Sequence, residues 1–140
     1  MLVEIKQAIA GRLSDSINGR ARVVIDDTEG EAGSANVVRS DYTVRIGYAG
    51  GSFQAPTTIE DIVQNCDRTF QVSIEIKDLR NENKAVQLLE DVEKLLIGFH
   101  PCVEGVIGKI YGSNDKFSQN KDGIYYYVFN ITVPTVFIEN

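Results

Sequence analysis

The sequence predicts an α+β domain in which a mainly antiparallel sheet packs against two helices, and three observations predict it. Two stretches carry apolar residues at spacings of three and four, the stripe of a helix with one buried face. Others alternate apolar and polar residues, the period of a strand with one buried face. The chain is also of single-domain size: 140 residues, 43% hydrophobic and 24% charged, close to globular averages and enough for one core. No longer period repeats, so one domain is expected over residues 1–140.

The first helix runs from Leu2 to Ile17, where Leu2, Ile5, Ile9, Leu13 and Ile17 share a face and Glu4, Lys6, Arg12 and Asp15 point away. Asn18-Gly19 stops it. Ala21 to Ile25 is a short apolar run, read as a strand. Asp26 to Ser40, rich in Gly, Asp, Glu and Ser, reads as a long exposed loop. A structureless connection of about 15 residues is either functional or mobile.

Tyr42, Val44, Ile46 and Tyr48 alternate with Thr43, Arg45 and Gly47, and Phe70, Val72, Ile74 and Ile76 alternate with Gln71, Ser73, Glu75 and Lys77. These are the two clearest strands. Gly50 to Asn65 between them reads as a second loop, with Pro56 and a short helical turn at Thr58 to Val63. Helical spacing returns from Asn83 to Ile97 in Val86, Leu89 (with Leu88 beside it), Val92 and Leu96. Glu90 and Lys94 are placed for an i,i+4 ion pair, and Gly98 and Pro101 end the helix. The last segment reads as two long strands, about Gly105 to Lys116 and Ile124 to Phe137, joined by the polar turn Ser118 to Gly123. On the final strand Tyr125, Tyr127, Phe129, Ile131 and Val133 fall on one face, and Ile124, Tyr126 and Val128 on the other. A strand apolar on both faces is either central under cover or turned toward a partner.

Composition narrows the function classes. The formal charge is −6, from 14 basic and 20 acidic residues, and the basic ones are scattered, which argues against a grip on nucleic acid. The longest apolar run is far short of the roughly 20 residues that cross a bilayer, and the N-terminus lacks the pattern of a signal peptide, so a soluble protein is expected. Cys66 and Cys102 match no zinc spacing and read as two buried free thiols. Gly47-Tyr-Ala-Gly-Gly-Ser52 follows a strand but lacks the Lys-Ser/Thr of a phosphate-binding loop, and reads as a strand end with a tight turn or bulge. His100 has no nucleophile motif to activate and reads as a surface imidazole or a partner to the helix dipole. Asp26, Asp27, Glu29 and Glu31 lack the closing Glu of a calcium loop and read as a solvated loop. No catalytic residue, metal site or cofactor is assigned, and no enzyme is expected.

Three segments in order resemble the small tail-terminator proteins of Mu-like contractile-tailed phages. They are Ile46-Gly-Tyr-Ala-Gly-Gly at the end of a strand; Phe70-Gln-Val72 leading through Leu79-Arg80-Asn81 into Leu88-Leu89-Glu90-Asp91-Val92 and Leu96-Ile97-Gly98; and Gly123-Ile-Tyr-Tyr126 in the final hairpin. Trp, often present in that hairpin, is absent, and Tyr125 or Tyr126 would replace it. The resemblance implies a non-enzymatic virion protein located in the tail. Such a protein caps the tail tube as a hexameric ring of identical chains, ends tube and sheath polymerisation and presents a surface to the neck. The implied partners are the chain itself, the tail tube protein, and sheath and neck proteins, with DNA passing through the lumen unbound and no membrane. Ring closure needs two complementary patches per subunit. Ile124, Tyr126 and Val128 are the candidate subunit interface, and Asp26, Asp27, Glu29 and Glu31 the candidate lumen or partner loop. Another head-tail connector, or a small cytoplasmic ligand-binding or regulatory α+β protein, remains an alternative.

Overall fold

The computed structural model describes residues 1–17, 19–25, 42–56, 62–77, 82–119 and 125–139. The elements in order are α1 (Leu2–Ile17), β1 (Arg22–Ile25), β2 (Tyr42–Phe53), β3 (Ile62–Ile76), α2 (Glu82–Leu96), β4 (Tyr111–Gln119) and β5 (Tyr125–Glu139). They form a five-stranded sheet in the order β1-β2-β3-β5-β4 with the helices on one face, the α+β arrangement expected. Among the described residues no helix is long and apolar enough to cross a membrane.

The core follows from the two periodicities. α1 buries Ile5, Ile9, Leu13 and Ile17, and α2 buries Ala85, Leu88, Leu89, Val92 and Leu96. These side chains meet Val44 and Ile46 of β2, Phe70, Val72, Ile74 and Ile76 of β3, and Phe129, Ile131 and Val133 of β5. Each of these Val, Leu, Ile and Phe side chains contributes roughly 1.5–3 kcal/mol when taken out of water. Val86, expected in this stripe, is only half-buried because Ala85 occupies the inward position. The expected Glu90–Lys94 pair does not form; among the described residues Arg20 pairs with Asp91 at 2.7 Å and the N-terminal amine with Glu4 at 2.7 Å.

β1 pairs with β2 in parallel, Val23 beside Val44 and Ile25 beside Ile46, whereas all other pairings are antiparallel. Parallel neighbours cannot be joined by a tight hairpin. Chain leaving Ile25 beside Ile46 must return to Tyr42, so the long connection over 26–41 is a requirement of strand direction.

Several boundaries differ from expectation. β2 continues past Tyr48 to Phe53 and β3 begins at Ile62, so much of the Gly50 to Asn65 loop is paired strand: Gly51 opposes Arg68 and Phe53 opposes Cys66. The helical turn expected at Thr58 to Val63 lies partly outside the described residues, and its last two, Ile62 and Val63, belong to β3. The strand expected from Gly105 starts at Tyr111; before it Val106 makes a single bridge to Thr135, flanked by hydrogen bonds from Ile107 N to Pro134 O and from Val136 N to Gly105 O. Ser118, expected in a turn, is still paired in β4, which ends at Gln119.

Candidate assembly interface

The first patch is built where β2 runs out to Phe53 beside the start of β3 and the end of β5, on the same face as the core. A bulge interrupts the β2–β3 register between Tyr48 and Gly50. Gly50 follows the bulge with φ of +145°, a conformation that side-chain-bearing residues rarely adopt. Gly51 leaves room for close approach: a Cβ there would lie 2.8 Å from Tyr48 Oη, 3.0 Å from Arg68 Nη1 and 3.2 Å from Cys66 Sγ. Arg68 therefore folds across the strand. Its Nη1 donates to Tyr48 Oη at 3.0 Å, and its guanidinium carbon sits 4.9 Å from the Phe53 ring centroid, a cation–π distance. Phe53 meets Phe137 edge-on at 6.4 Å, and Tyr48 meets core Phe70 edge-on at 5.3 Å. Phe53 is 51% exposed and Phe137 43%. The Nε of Arg68 is buried without a hydrogen-bond partner.

A second patch lies at the other end of the sheet, where β4 and β5 meet α2. Phe117 stacks on Tyr125 at 5.9 Å with 16° between the rings and contacts Tyr127 at 5.3 Å. Phe117 is 50% exposed on the edge strand. Beside it, burial pushes the Glu93 carboxyl up to about 7, helped by a hydrogen bond with Asp115 and by the charges of Asp115 and Glu90. Burial chiefly, and the charge of Glu82, also raise the Tyr127 hydroxyl above its usual value. Among the described residues neither Glu93 nor Asp115 has a Lys or Arg in an ion pair.

The residues singled out from sequence fall elsewhere. Tyr126 and Val128 lie on the sheet face away from the helices, Tyr126 opposite Glu75 and Ser118, Val128 opposite Ser73 and Lys116. Tyr126 is half-buried and Val128 is 9% exposed, so Val128 offers little surface. Arg45 and Glu75 pair on that face at 2.6 Å. Ile124, Asp26, Asp27, Glu29 and Glu31 lie outside the described residues. Sequence reasoning missed Phe53, Arg68, Phe117 and Phe137. Arg68 did leave a signal: it stands in phase with Phe70, Val72, Ile74 and Ile76, a charge on an apolar stripe.

Cys66 is buried, as expected, but Cys102 is exposed, because it follows buried Pro101 in an irregular segment without a core-facing period. His100 is exposed after α2, with Nε2 3.4 Å from Val106 O. Among the described residues no group of three or more His, Cys, Asp or Glu could hold a metal ion. A groove of about 350 Å³ near Arg20, Tyr42 and Lys84 and another of about 560 Å³ near Met1, Glu104 and Phe137 set no nucleophile beside a base.

The sequence of residues 21–140, covering both patches and the entire sheet, matches the Gp37 protein family. The chain belongs to that family. No curated protein matches it by sequence. Its fold is similar to that of a chain in the solved "Virion of native gene transfer agent (GTA) particle", with a TM-score of 0.66, 10% identity and 95% of each chain covered. A second solved chain, whose description states no function, matches with a TM-score of 0.56 and 15% identity over 100% of this chain and 99% of its own. At these identities the likeness is one of fold.

Proposed function

We propose that this protein is a structural component of a phage-type virion and acts there as a tail terminator. In this reading it caps the tail tube as a hexameric ring, ends tube and sheath polymerisation and gives the neck its attachment surface. The observation that carries the reading is the fold likeness to a chain of a gene transfer agent virion over nearly the full length of both chains. The ordered resemblance of Ile46 to Gly51, Phe70 to Gly98 and Gly123 to Tyr126 to tail terminators, and membership in the Gp37 family, point the same way. The mechanism is binding geometry: a heterologous contact whose rotation closes makes a ring and leaves no free end. Partners are other copies of the chain, the tube protein, and sheath and neck proteins. The acidic segment with Asp26, Asp27, Glu29 and Glu31 is proposed to face the lumen, where carboxylates repel passing DNA. Replacing those four with Ser should slow DNA ejection, and unchanged ejection rules that role out.

Negative-stain imaging of the protein with open-ended tubes of its cognate tube protein tests the function. Density on one tube end, with extension halted, is expected. Particles that stay monomeric and never bind a tube end overturn the reading.

A further inference from the structure

Resting on the tail-terminator reading, we propose that the two aromatic patches are the two halves of the subunit contact. Tyr48, Phe53, Arg68 and Phe137 of one copy dock on Phe117, Tyr125 and Tyr127 of the next, with Arg68 set between Glu93 and Asp115.

Charge complementarity selects a second copy as the occupant. One patch sets the Arg68 guanidinium among the exposed Tyr48, Phe53 and Phe137 rings. The other holds two adjoining carboxylates beside the exposed Phe117 ring and the half-buried Tyr125 and Tyr127, with Glu82 and Glu90 close by. Among the described residues, neither Arg68 nor either carboxylate has an ion-pair partner within the chain. A guanidinium in contact with both carboxylates replaces their mutual repulsion with charge-assisted hydrogen bonds. Arg, Tyr and other aromatic side chains are also the groups that dominate subunit contacts.

Placement makes the contact intermolecular. Phe137 and Tyr127 belong to the same strand and are ten residues apart, about 34 Å at the rise of an antiparallel strand. Their patches share the helix-bearing face but lie at opposite ends, on β2, β3 and β5 in one case and on β4, β5 and α2 in the other. They cannot meet within one chain. Used in sequence from copy to copy they make a head-to-tail contact, the kind a ring requires. Used reciprocally between two copies they would close a two-fold dimer.

Native mass spectrometry of the full chain, alone and with open tubes, and of Arg68→Glu and Asp115→Arg variants tests the pairing. Each variant alone should lose self-association at least about tenfold. Mixing the two should restore it, because half the contacts are then native and half are charge-reversed. Phe53→Ala and Phe117→Ala, at exposed positions, should weaken association while urea midpoints stay within experimental spread of the parent. Wild-type rings that persist in all four variants overturn the pairing and leave the terminator reading intact. Rings that persist while tube binding is lost in Arg68→Glu assign the patch to the tube protein and overturn the pairing. A wild-type dimer abolished by either charge reversal supports the pairing and overturns the ring. A chain monomeric both alone and with tubes overturns both.

Discussion

The strands β2, β3 and β5 pass through two unlike environments. Beneath the helices they carry Ile46, Phe70, Val72 and Ile131, all fully buried. Toward Phe53 and Glu139 the same strands carry Phe53, Arg68 and Phe137, and the aromatic rings are about half exposed. Backbone pairing continues unbroken between β3 and β5 from Ile76 opposite Tyr125 to Ile62 opposite Glu139. Hydrogen bonding therefore does not distinguish the halves; cover does. Burial of the first half stabilises the fold, whereas the large side chains of the second half leave apolar surface that only another molecule can remove from water.

The largest expected effect breaks this comparison if it fails. Phe70→Ala removes a ring from the centre of the core and should cost about 3–5 kcal/mol in urea unfolding. Phe53→Ala removes a ring of equal size from the extension and should cost less than about 1 kcal/mol. Equal losses would mean that the extension belongs to the cooperative core.

The next effect concerns how the extension is shaped. Gly50→Ala meets no atom within 4 Å, so its cost comes from the backbone at φ +145°, of order 1–3 kcal/mol. Gly51→Ala has the opposite character, since its Cβ meets Tyr48, Arg68 and Cys66. Two of those atoms end flexible side chains, so we expect about 1 kcal/mol or less, with Arg68 displaced from Tyr48. Thermal unfolding separates the two variants, and loss of self-association in Gly51→Ala would tie Arg68's placement to assembly.

The same contrast explains what was legible in the sequence. Ile5, Ile9, Leu13 and Ile17 gave α1 with its bounds because one face is buried along its whole length. Tyr42 to Tyr48 and Phe70 to Ile76 were clear because their alternation records the cover of the helices. Gly50-Gly51-Ser52 and Gln64-Asn65 read as loop because two glycines, a serine and two amides carry no apolar alternation, although Cys66 beside them is buried. Gly50 to Ser52 pair with β3, and Gln64 and Asn65 pair with β5, about 70 residues away, a tertiary effect that local propensity does not encode. The direction of β1 was also hidden, since the alternation of Arg22 to Ile25 is the same read parallel or antiparallel. Phe117 escaped notice as one ring in the polar run Gly112 to Ser118, and it becomes part of a patch only when β4 pairs with Tyr125 and Tyr127.

At the boundary between cover and exposure, pH sharpens the comparison. Glu93 binds its proton more tightly in the folded chain than in the unfolded one, so stability falls as pH rises from the ordinary glutamate value of 4.5 to about 7. Solvent screening of a partly exposed carboxyl limits the loss to about 1 kcal/mol. Glu93→Gln, which can donate to Asp115 at any pH, should be more stable than the parent at pH 8. That advantage should vanish below pH 4.5, and unfolding midpoints measured across this window check the sign.

The smallest effect lies two residues earlier on α2 and has the opposite sign. Asp91 accepts from Arg20 at 2.7 Å and from Gln87 at 3.0 Å, and these hydrogen bonds hold its carboxyl below the usual value. Stability from this group is present above the ordinary aspartate value of 3.8 and is lost as pH falls through the lowered one. An exposed pair of this kind is worth about 0.2–1 kcal/mol and weakens with salt. Asp91→Asn should therefore lower the urea midpoint slightly at neutral pH in low salt, and the difference should shrink in about 1 M salt, where screening acts over about 3 Å. The Glu93 effect should respond less to salt because its first cause is burial. If both respond equally, Glu93 is as solvated as Asp91, and cover by α2 does not reach the second patch.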